Sequence, residues 1–204
     1  MILVGLLDSP YVRRCAVSMK LMGVPFEHKP ISVFRGFDQF RAINPVVKAP
    51  TLICADGAVL MDSTLILEYI ESQVPEARRL MPAHGIAHRE ALRLTGLALA
   101  ACEKCVQIVY EKQQRPEDKR HIPWLERVIG QANAGFTELE RDLEKASPWA
   151  QGEKLTAADV MIACAWRFAQ HMTADEVLSP KYPRLVQHCV RAEALPEFAS
   201  TPPD

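Results

Sequence analysis

Every segment with a strand-like pattern in this 204-residue chain lies before residue 62. The apolar run at residues 2–6 is typical of a buried strand. Ser9 and Pro10 then predict the start of a helix, because serine caps helices and proline favours their first position. That helix is predicted to end at Met22, with Gly23 at the stop position. A second strand is predicted at residues 26–31, so the chain opens with a βαβ unit whose strands are parallel.

A hairpin and one further helix complete the first predicted domain. Asp56 and Gly57 predict a tight turn between strands at residues 50–54 and 58–61, which must be antiparallel. A short irregular helix is predicted at 34–40 and a longer helix at about 63–73. The order βαβ-α-ββ-α over residues 1–75 predicts a thioredoxin-like domain with a mixed four-stranded sheet.

The remainder of the chain is predicted to be helical. Pro75, Pro82 and Gly85 predict a linker at residues 76–85, followed by an all-helical bundle domain at residues 86–204. Further helices are predicted at 125–145, 155–172 and 184–194, and the tail from residue 197 is predicted to be frayed. The first helix of this domain shows one apolar face with alternating spacings of four and three residues, formed by Leu94, Ala98, Ala101, Cys105 and Ile108.

Composition excludes several kinds of partner. The 24 basic and 25 acidic residues give a net charge of −1, which removes the electrostatic case for nucleic acid or an anionic membrane. The apolar run at 97–102 is too short to span a bilayer. We expect a cytoplasmic protein whose six cysteines are free thiols, because no secretory segment is visible. Cys102 and Cys105 form a C-x-x-C without a second pair, so no metal is predicted.

Three segments of the first domain carry candidate chemistry. Ser9 stands at a helix N-terminus, where unpaired N–H groups and the helix dipole favour an anion and acidify a thiol. Pro50 follows Ala49, whose backbone could pair with an extended peptide if their bond were cis. Asp62 and Ser63 open the next helix and could hold a carboxylate. Taken singly, ordinary helix caps and an ordinary trans proline explain the same residues.

The three segments gain meaning from their expected position. In a thioredoxin-like domain the loop after the first strand, the loop before the third and the start of the last helix meet at one sheet edge. Each would then donate to something anionic or peptide-like in one groove. A small acidic thiol peptide fits such a groove.

The ordered motifs resemble those of the cytosolic glutathione S-transferases. They are Ser-Pro-Tyr-x-x-Arg from residue 9, Asn-Pro-x-x-Lys-Ala-Pro-Thr-Leu from residue 44, and Asp-Ser-Thr-Leu-Ile-Leu-Glu-Tyr-Ile from residue 62. The pattern is most similar to the serine-type classes, such as tau, and to their bacterial relatives. In the helical domain, Thr156 and Asp159 resemble that family's Ser/Thr-x-x-Asp capping box, which is structural in role.

The resemblance implies a glutathione site and a homodimer. It assigns Ser9 a hydrogen bond to the glutathione sulfur that stabilises the thiolate. Lys48 is implied to lie near the glycyl carboxylate. The other implied binding residues are Ala49, which pairs with the cysteinyl unit, Pro50 as the cis-proline, and Asp62 with Ser63 at the γ-glutamyl end.

Three further residues are candidates for lining the site. Tyr11 and Arg13 follow Ser9 in the first turn of the helix, and Tyr11 is an alternative sulfur ligand or a packing residue. Tyr110 either lines the pocket of the second substrate or packs in the helical core. Because position 9 carries serine instead of cysteine, thiol–disulfide chemistry is disfavoured.

The predicted activity is therefore addition of the glutathione thiolate to a small apolar electrophile that packs against the helical domain. Glutathione is the co-substrate, and no metal is involved. Two alternatives stay open. One is a glutathione-dependent isomerase or dehalogenase, which shares the thiolate. The other is a non-enzymatic partner-binding protein of the same fold, such as the bacterial stringent starvation protein A, which binds RNA polymerase.

Overall fold

The computed structural model describes residues 1–146 and 148–203, which form two compact units. The first unit combines Met1–Met81 with the segment that begins at Ala194, and the second is Pro82–Glu193. We call residues 194–203 the C-terminal segment. The sequence analysis predicted that this segment belongs to the helical domain. In the structure it packs with the first unit instead.

The first unit contains the mixed four-stranded sheet of a thioredoxin-like domain. The strand order is β2-β1-β3-β4, with β1 and β2 parallel and the other two pairs antiparallel. The predicted βαβ unit and hairpin are thereby confirmed. The strands are β1 (Ile2–Val4), β2 (Glu27–Lys29), β3 (Thr51–Ile53) and β4 (Val59–Met61).

Three helices accompany this sheet. Helix α1 (Pro10–Leu21) starts and ends where its capping residues predict, with Gly23 at φ 67° after its end. Helix α3 (Ser63–Ser72) also matches its prediction. Helix α2 (Phe37–Ile43) begins three residues later than predicted. The reason is Ser32, whose Oγ accepts the N–H groups of residues 34 and 35 and forms a turn there instead.

The second unit is helical throughout its main elements. All five predicted apolar-face residues of the first long helix are buried, so that face is confirmed. This helix passes directly into a π-helical turn at Tyr110–Gln114. In the described part of this unit the α-helices are α4 (Gly85–Val109), α5 (Ile122–Asp142), α6 (Ala157–Met172) and α7 (Pro183–Glu193).

Helix α5 packs closely on α4 because a glycine faces the contact. A Cβ at Gly135 would stand 2.9 Å from the Cβ of Ala101. Gly130, on the same helix, has nothing within 4 Å of such a Cβ. Gly135 is therefore what permits the close packing of the two helices.

The capping box at the start of α6 is present. The Asp159 carboxylate accepts the Thr156 N–H and the Thr156 hydroxyl, each at 2.8 Å. It also accepts the Ala150 N–H at 2.8 Å, and its side chain is 0% exposed. His188 lies 3.7 Å from the same carboxylate. The box therefore also fixes the loop before α6.

The predicted fraying of the tail is wrong. The C-terminal segment forms a short helix α8 (Pro196–Ala199), and the Phe198 side chain is 0% exposed. Thr201 is buried as well. Burial of one aromatic ring and hydrogen bonds to α1 supply the order that local sequence preference does not.

Within the described ranges 1–146 and 148–203, none of the helices has the length and apolar character needed to cross a membrane.

Candidate functional site

The strand register brings the three candidate segments to one edge of the sheet. Val4 at the end of β1 pairs with Thr51 at the start of β3, and Thr51 pairs with Met61 at the end of β4. Neighbouring strands lie about 4.8 Å apart, so the three backbones span roughly 10 Å. The loop that carries Ser9 follows β1. The Ala49–Pro50 link comes directly before β3, and Asp62 directly follows β4.

Ser9 is the N-cap of α1. Its hydroxyl accepts the Val12 N–H at 3.4 Å, and its carbonyl accepts the Arg13 N–H at 2.9 Å. Its side chain is partly exposed, and the first turn of α1 carries no acidic residue. The hydroxyl therefore stands at the positive end of a 12-residue helix, where an anion is stabilised.

Gly5 joins the Ser9 loop to the cis-proline loop. A Cβ at this position would lie 2.5 Å from Cγ2 of Val12 and 3.2 Å from Cβ of Ala49. Its φ of 137° also lies where side chains are rarely accommodated. Glycine at position 5 thus lets α1 and the segment before Pro50 approach each other closely.

The Ala49–Pro50 peptide bond is cis, as the resemblance implies. The approach to it is fixed by Asn44, whose Nδ2 donates to Thr51 Oγ1 at 2.9 Å and whose Oδ1 accepts the Val46 N–H at 3.0 Å. Thr51 in turn donates its hydroxyl to the Lys48 carbonyl at 2.7 Å. The Lys48 side chain is exposed at this edge, and Pro50 is buried.

Asp62 and Ser63 occupy the corner between β4 and α3. Asp62 has a positive φ of 70°, and its carboxylate accepts the Thr64 N–H at 2.8 Å as the N-cap of α3. Ser63 is buried, and its hydroxyl accepts an N–H of Arg14 at 3.2 Å. Asp62 itself is exposed, so its carboxylate is accessible to a ligand amine.

Arg14 links two of the three segments, and sequence reasoning gave it no role. Its guanidinium is buried and donates to the hydroxyls of Ser63 and Thr64, each at 3.2 Å. Arg14 therefore fastens the second turn of α1 to the start of α3. The motif Ser-Pro-Tyr-x-x-Arg contains this arginine, so the residue was visible in the pattern, but its partners lie about fifty positions away.

Arg13 does not contribute its side chain to the sheet edge. The guanidinium is 2% exposed and donates from Nε to the carbonyl of Thr201 at 2.8 Å. Its predicted place among the lining residues is therefore corrected: the side chain is held by the C-terminal segment. Tyr11 is partly exposed beside Ser9, and its role as a lining residue stays a prediction.

Tyr110 lies in the second unit, at the point where α4 becomes a π-helical turn. Its side chain is about half exposed, and partial burial raises its pKa above the ordinary value. The Tyr110 side chain therefore packs partly against the protein and is partly exposed to solvent. A role toward the second substrate stays a prediction.

The six cysteines are free thiols, as expected, and all of them are buried. Burial raises the pKa of the Cys105 thiol to about 11, which suppresses its thiolate and makes it a poor nucleophile. Cys15 points to the Ser63 carbonyl at 3.8 Å. Apart from residues 147 and 204, which the structure leaves undescribed, no group of three or more His, Cys, Asp or Glu residues is placed to hold a metal ion.

The site as a whole suits an extended anionic peptide. It offers a helix N-terminus with a hydroxyl, a backbone amide beside a cis-proline, an exposed lysine and an exposed carboxylate within one sheet edge. These groups complement a ligand with one anionic centre in the middle and charged groups at both ends.

Two family models match the chain. The model described as "Glutathione S-transferase, N-terminal domain" matches residues 3–78. The model described as "Glutathione S-transferase, C-terminal domain" matches residues 122–191. Together they cover more than half of the chain.

Individual proteins agree with these matches. The chain is 27% identical to a "Glutathione S-transferase zeta class" of Euphorbia esula, over 94% of this chain and 84% of the relative. It is 26% identical to a maleylacetoacetate isomerase of Dictyostelium discoideum, over 93% and 87%. A glutathione S-transferase of Methylobacterium radiotolerans, solved in complex with glutathione sulfonate, has a TM-score of 0.91 and 26% identity, covering 99% of this chain and 94% of that one.

Proposed function

The chain belongs to the glutathione S-transferase family, and on that premise we propose that it binds glutathione at the sheet edge and uses its thiolate as a nucleophile. The observation that carries this proposal is the Ser9 hydroxyl at the N-terminus of α1, beside the cis Ala49–Pro50 link. The Methylobacterium radiotolerans neighbour, which holds glutathione sulfonate, supports the choice of ligand.

Ser9 is proposed as the catalytic residue. A glutathione thiol has an ordinary pKa near that of cysteine, about 8.5, so most of it is protonated at neutral pH. A hydroxyl donor and the positive end of α1 favour the charged form and lower that pKa. The buried guanidinium of Arg14 in the second turn adds a positive charge between α1 and the start of α3. The protein thereby supplies an activated nucleophile on its substrate.

The remaining contacts distribute along the tripeptide. Lys48 is proposed to bind the glycyl carboxylate, and the Ala49 backbone to pair with the cysteinyl unit before Pro50. At the other end, the Asp62 carboxylate accepts from the γ-glutamyl amine. The Ser63 hydroxyl and the N-terminus of α3 receive the γ-glutamyl carboxylate. Because the Ser63 oxygen already accepts from Arg14, its own proton is oriented for donation.

The reaction proposed is addition of the thiolate to a double bond conjugated with a carbonyl group. The sulfur bonds to the β-carbon, and the electron pair of the double bond moves to the carbonyl as an enolate. If a proton then adds at the α-carbon, the product is a glutathione conjugate. If the former double bond rotates first, the enolate pair re-forms it and expels the thiolate, which yields the trans isomer and unchanged glutathione.

Of these two outcomes, we favour isomerisation. Relatives from Dictyostelium discoideum and Rattus norvegicus are maleylacetoacetate isomerases, and the Euphorbia esula relative is of the zeta class. A maleyl group is a cis olefin between two carbonyl carbons, which is the substrate that the addition–rotation–expulsion sequence requires. Conjugation is the second candidate, favoured by the transferase names among the same relatives.

A homodimer is also proposed. Val59 and Met61 on β4 and Leu65 on α3 are exposed apolar side chains of the first unit, all within seven residues of the chain. A group of exposed apolar residues is typical of a surface that another protein covers. Sedimentation at micromolar concentration tests the proposal, and a monomer there contradicts it.

The chemical proposal is tested with Ser9→Ala and a matched control, Ser72→Ala, whose serine lies at the exposed end of α3. We expect Ser9→Ala to lower the rate with a cis enone at neutral pH, with modest loss of glutathione affinity. The deficit should shrink above pH 8.5, where free thiol ionises unaided. Equal rates at pH 7 would remove the role of Ser9.

Two further readouts separate the alternatives. Consumption of glutathione in step with substrate indicates conjugation, whereas catalytic turnover at constant glutathione indicates isomerisation. Calorimetry that detects no binding of glutathione to the wild-type protein favours the partner-binding alternative.

A further inference from the structure

We propose that Arg13 and the C-terminal segment hold α1 in the position that Ser9 requires, which makes Arg13 a positioning residue for the glutathione thiolate. This inference rests on the proposed function of Ser9. It concerns a contact outside the sheet edge that the tripeptide would occupy. The evidence is the way two ends of the first unit are tied together.

The Arg13 side chain is bound by the C-terminal segment. Its Nε donates to the Thr201 carbonyl at 2.8 Å, and its Nη2 donates to the Phe198 carbonyl at 3.4 Å. The guanidinium carbon lies 5.6 Å from the centre of the Phe198 ring, in a cation–π contact. A buried guanidinium is costly without acceptors, so α1 and the segment stabilise each other.

A second attachment lies farther along the same helix. Lys20 donates from Nζ to the carbonyl and hydroxyl oxygens of Ser200, at 2.9 and 2.8 Å. Arg13 and Lys20 are seven residues apart, which is about two helical turns or roughly 10.5 Å along the axis. Two attachments at that separation restrain both the rotation and the tilt of α1, which one attachment cannot do.

Arg13 connects this restraint directly to Ser9. Its backbone N–H donates to the Ser9 carbonyl at 2.9 Å, the first hydrogen bond of α1, while its side chain is bound to the C-terminal segment. Neighbouring Val12 donates its N–H to the Ser9 hydroxyl. A shift of this turn therefore moves both the hydroxyl and the backbone donors that face the sulfur.

The same turn sets the distance to the cis-proline loop. Val12 Cγ2 and Ala49 Cβ both crowd the position of Gly5, so there is little room for α1 to rotate without moving Ala49 or opening a gap. The restraint on α1 consequently fixes Ser9 relative to the backbone that is proposed to hold the cysteinyl unit. Preorganisation of this kind determines how strongly a charged sulfur is stabilised.

The test compares Arg13→Gln and Arg13→Lys with Arg41→Gln in the full chain. Arg41 is an exposed arginine of α2 that pairs with Asp38 at 3.1 Å, so its loss controls for removal of one positive charge. For each variant, kcat/KM is measured from pH 5.5 to 9.5, and the thiolate of bound glutathione is titrated by ultraviolet absorbance. These readouts follow the sulfur and not merely the amount of folded protein.

We expect Arg13→Gln to raise the apparent pKa of the bound thiol by about one unit, which lowers the rate about tenfold at pH values below both pKa values. The two pH profiles should converge at high pH. The thiol pKa in Arg13→Lys should lie between the wild-type and Arg13→Gln values. An ammonium can bind one carbonyl, but it cannot bind two carbonyls at once or stack on the Phe198 ring. Arg41→Gln should match the wild type.

A second variant covers the case in which Arg13→Gln does not fold. Lys20→Ala keeps the Arg13 contact and removes the distal attachment, so we expect a smaller pKa shift in the same direction. Hydrogen exchange of the amides at residues 11–21 should accelerate in Lys20→Ala, because the helix loses its distal attachment to the C-terminal segment. The inference would be overturned if Lys20→Ala left both the hydrogen exchange and the thiol pKa unchanged from the wild type.

The outcomes also separate this inference from the proposed function. If wild-type protein binds glutathione with a lowered thiol pKa and Arg13→Gln reduces the rate equally at every pH, the positioning role is wrong and the proposed function stands. If wild-type protein does not lower the thiol pKa at all, the role of Ser9 is wrong, and the inference about Arg13 falls with it.

Discussion

Replacement of Asp159 should destabilise the second unit far more than loss of an ordinary helix cap. The carboxylate is 0% exposed and accepts three hydrogen bonds of 2.8 Å, two from backbone N–H groups and one from a hydroxyl. In Asp159→Ala the N–H groups of Thr156 and Ala150 lose their acceptor. A buried donor left unsatisfied costs about 1–3 kcal/mol; with the partly buried Ala150 N–H at the low end of that range, the two together cost about 2–4 kcal/mol of unfolding free energy.

Two comparison variants isolate the cause. Thr156→Ala removes the cap hydroxyl but leaves both backbone donors bound to Asp159, and should cost about 0.5–2 kcal/mol. Asp159→Asn keeps the shape but replaces one acceptor oxygen by a donor that faces an N–H group. We therefore expect it to destabilise nearly as much as Asp159→Ala. Asp118→Ala, at an exposed position before α5, is the control.

The measurement is urea unfolding followed by tryptophan fluorescence. The three tryptophans of the chain are Trp124, Trp149 and Trp166, so the emission reports on the second unit alone. Midpoints are compared at equal slope, since a changed slope would indicate a changed unfolding transition. The count of lost acceptors would be refuted if the unfolding free energy of Asp159→Ala lay within about 1 kcal/mol of that of Thr156→Ala. It would also be refuted if Asp159→Asn were as stable as the wild type.

Two further predictions use the same assay. Burial lowers the pKa of His188, and the repulsion of Arg191 lowers it further, while the attraction of the Asp159 carboxylate opposes the shift. As the pH falls, the unfolded chain therefore binds the proton at a higher pH than the folded chain does. Stability should therefore be constant above the ordinary histidine pKa of about 6.5 and fall as the pH drops below it, and His188→Gln should flatten that dependence. On α5, Gly130→Ala should stabilise by about 0.5–1 kcal/mol, because its Cβ meets nothing. Gly135→Ala should destabilise by about 1–3 kcal/mol through the 2.9 Å contact with Ala101, and the opposite order would contradict the packing of α5 on α4.

Features determined by neighbours along the chain were predicted well. Ser9, Pro10 and Gly23 act on backbone groups within a few positions, so both ends of α1 followed from the sequence. The hairpin at Asp56–Gly57 and the capping box at α6 are local in the same way. The convergence of the three loops needed the fold as well, but the βαβ unit and the hairpin specify that fold.

Features determined by distant partners were missed. Arg13 and Arg14 are adjacent and chemically identical, yet one binds a segment 185–188 positions away and the other binds Ser63 and Thr64. Helix geometry turns consecutive side chains by about 100°, so the two guanidiniums leave α1 in different directions. Which of the two guanidiniums faces the site depends on which segments of the chain pack on each side of the helix. The local sequence pattern contains no information about those segments.

The contacts of α1 explain why a chain of this family would order its last residues against its first helix. A thiolate site at a helix N-terminus works only while the helix stays fixed relative to the loop that holds the rest of the tripeptide. Three different partners restrain α1 here: Ala49 at Gly5, Ser63 through Arg14, and the C-terminal segment through Arg13 and Lys20. The first two come from the loops that are proposed to bind glutathione, and a ligand can move them. Of these three restraints, the third lies outside the loops proposed to bind glutathione, so it can hold Ser9 in place before glutathione arrives.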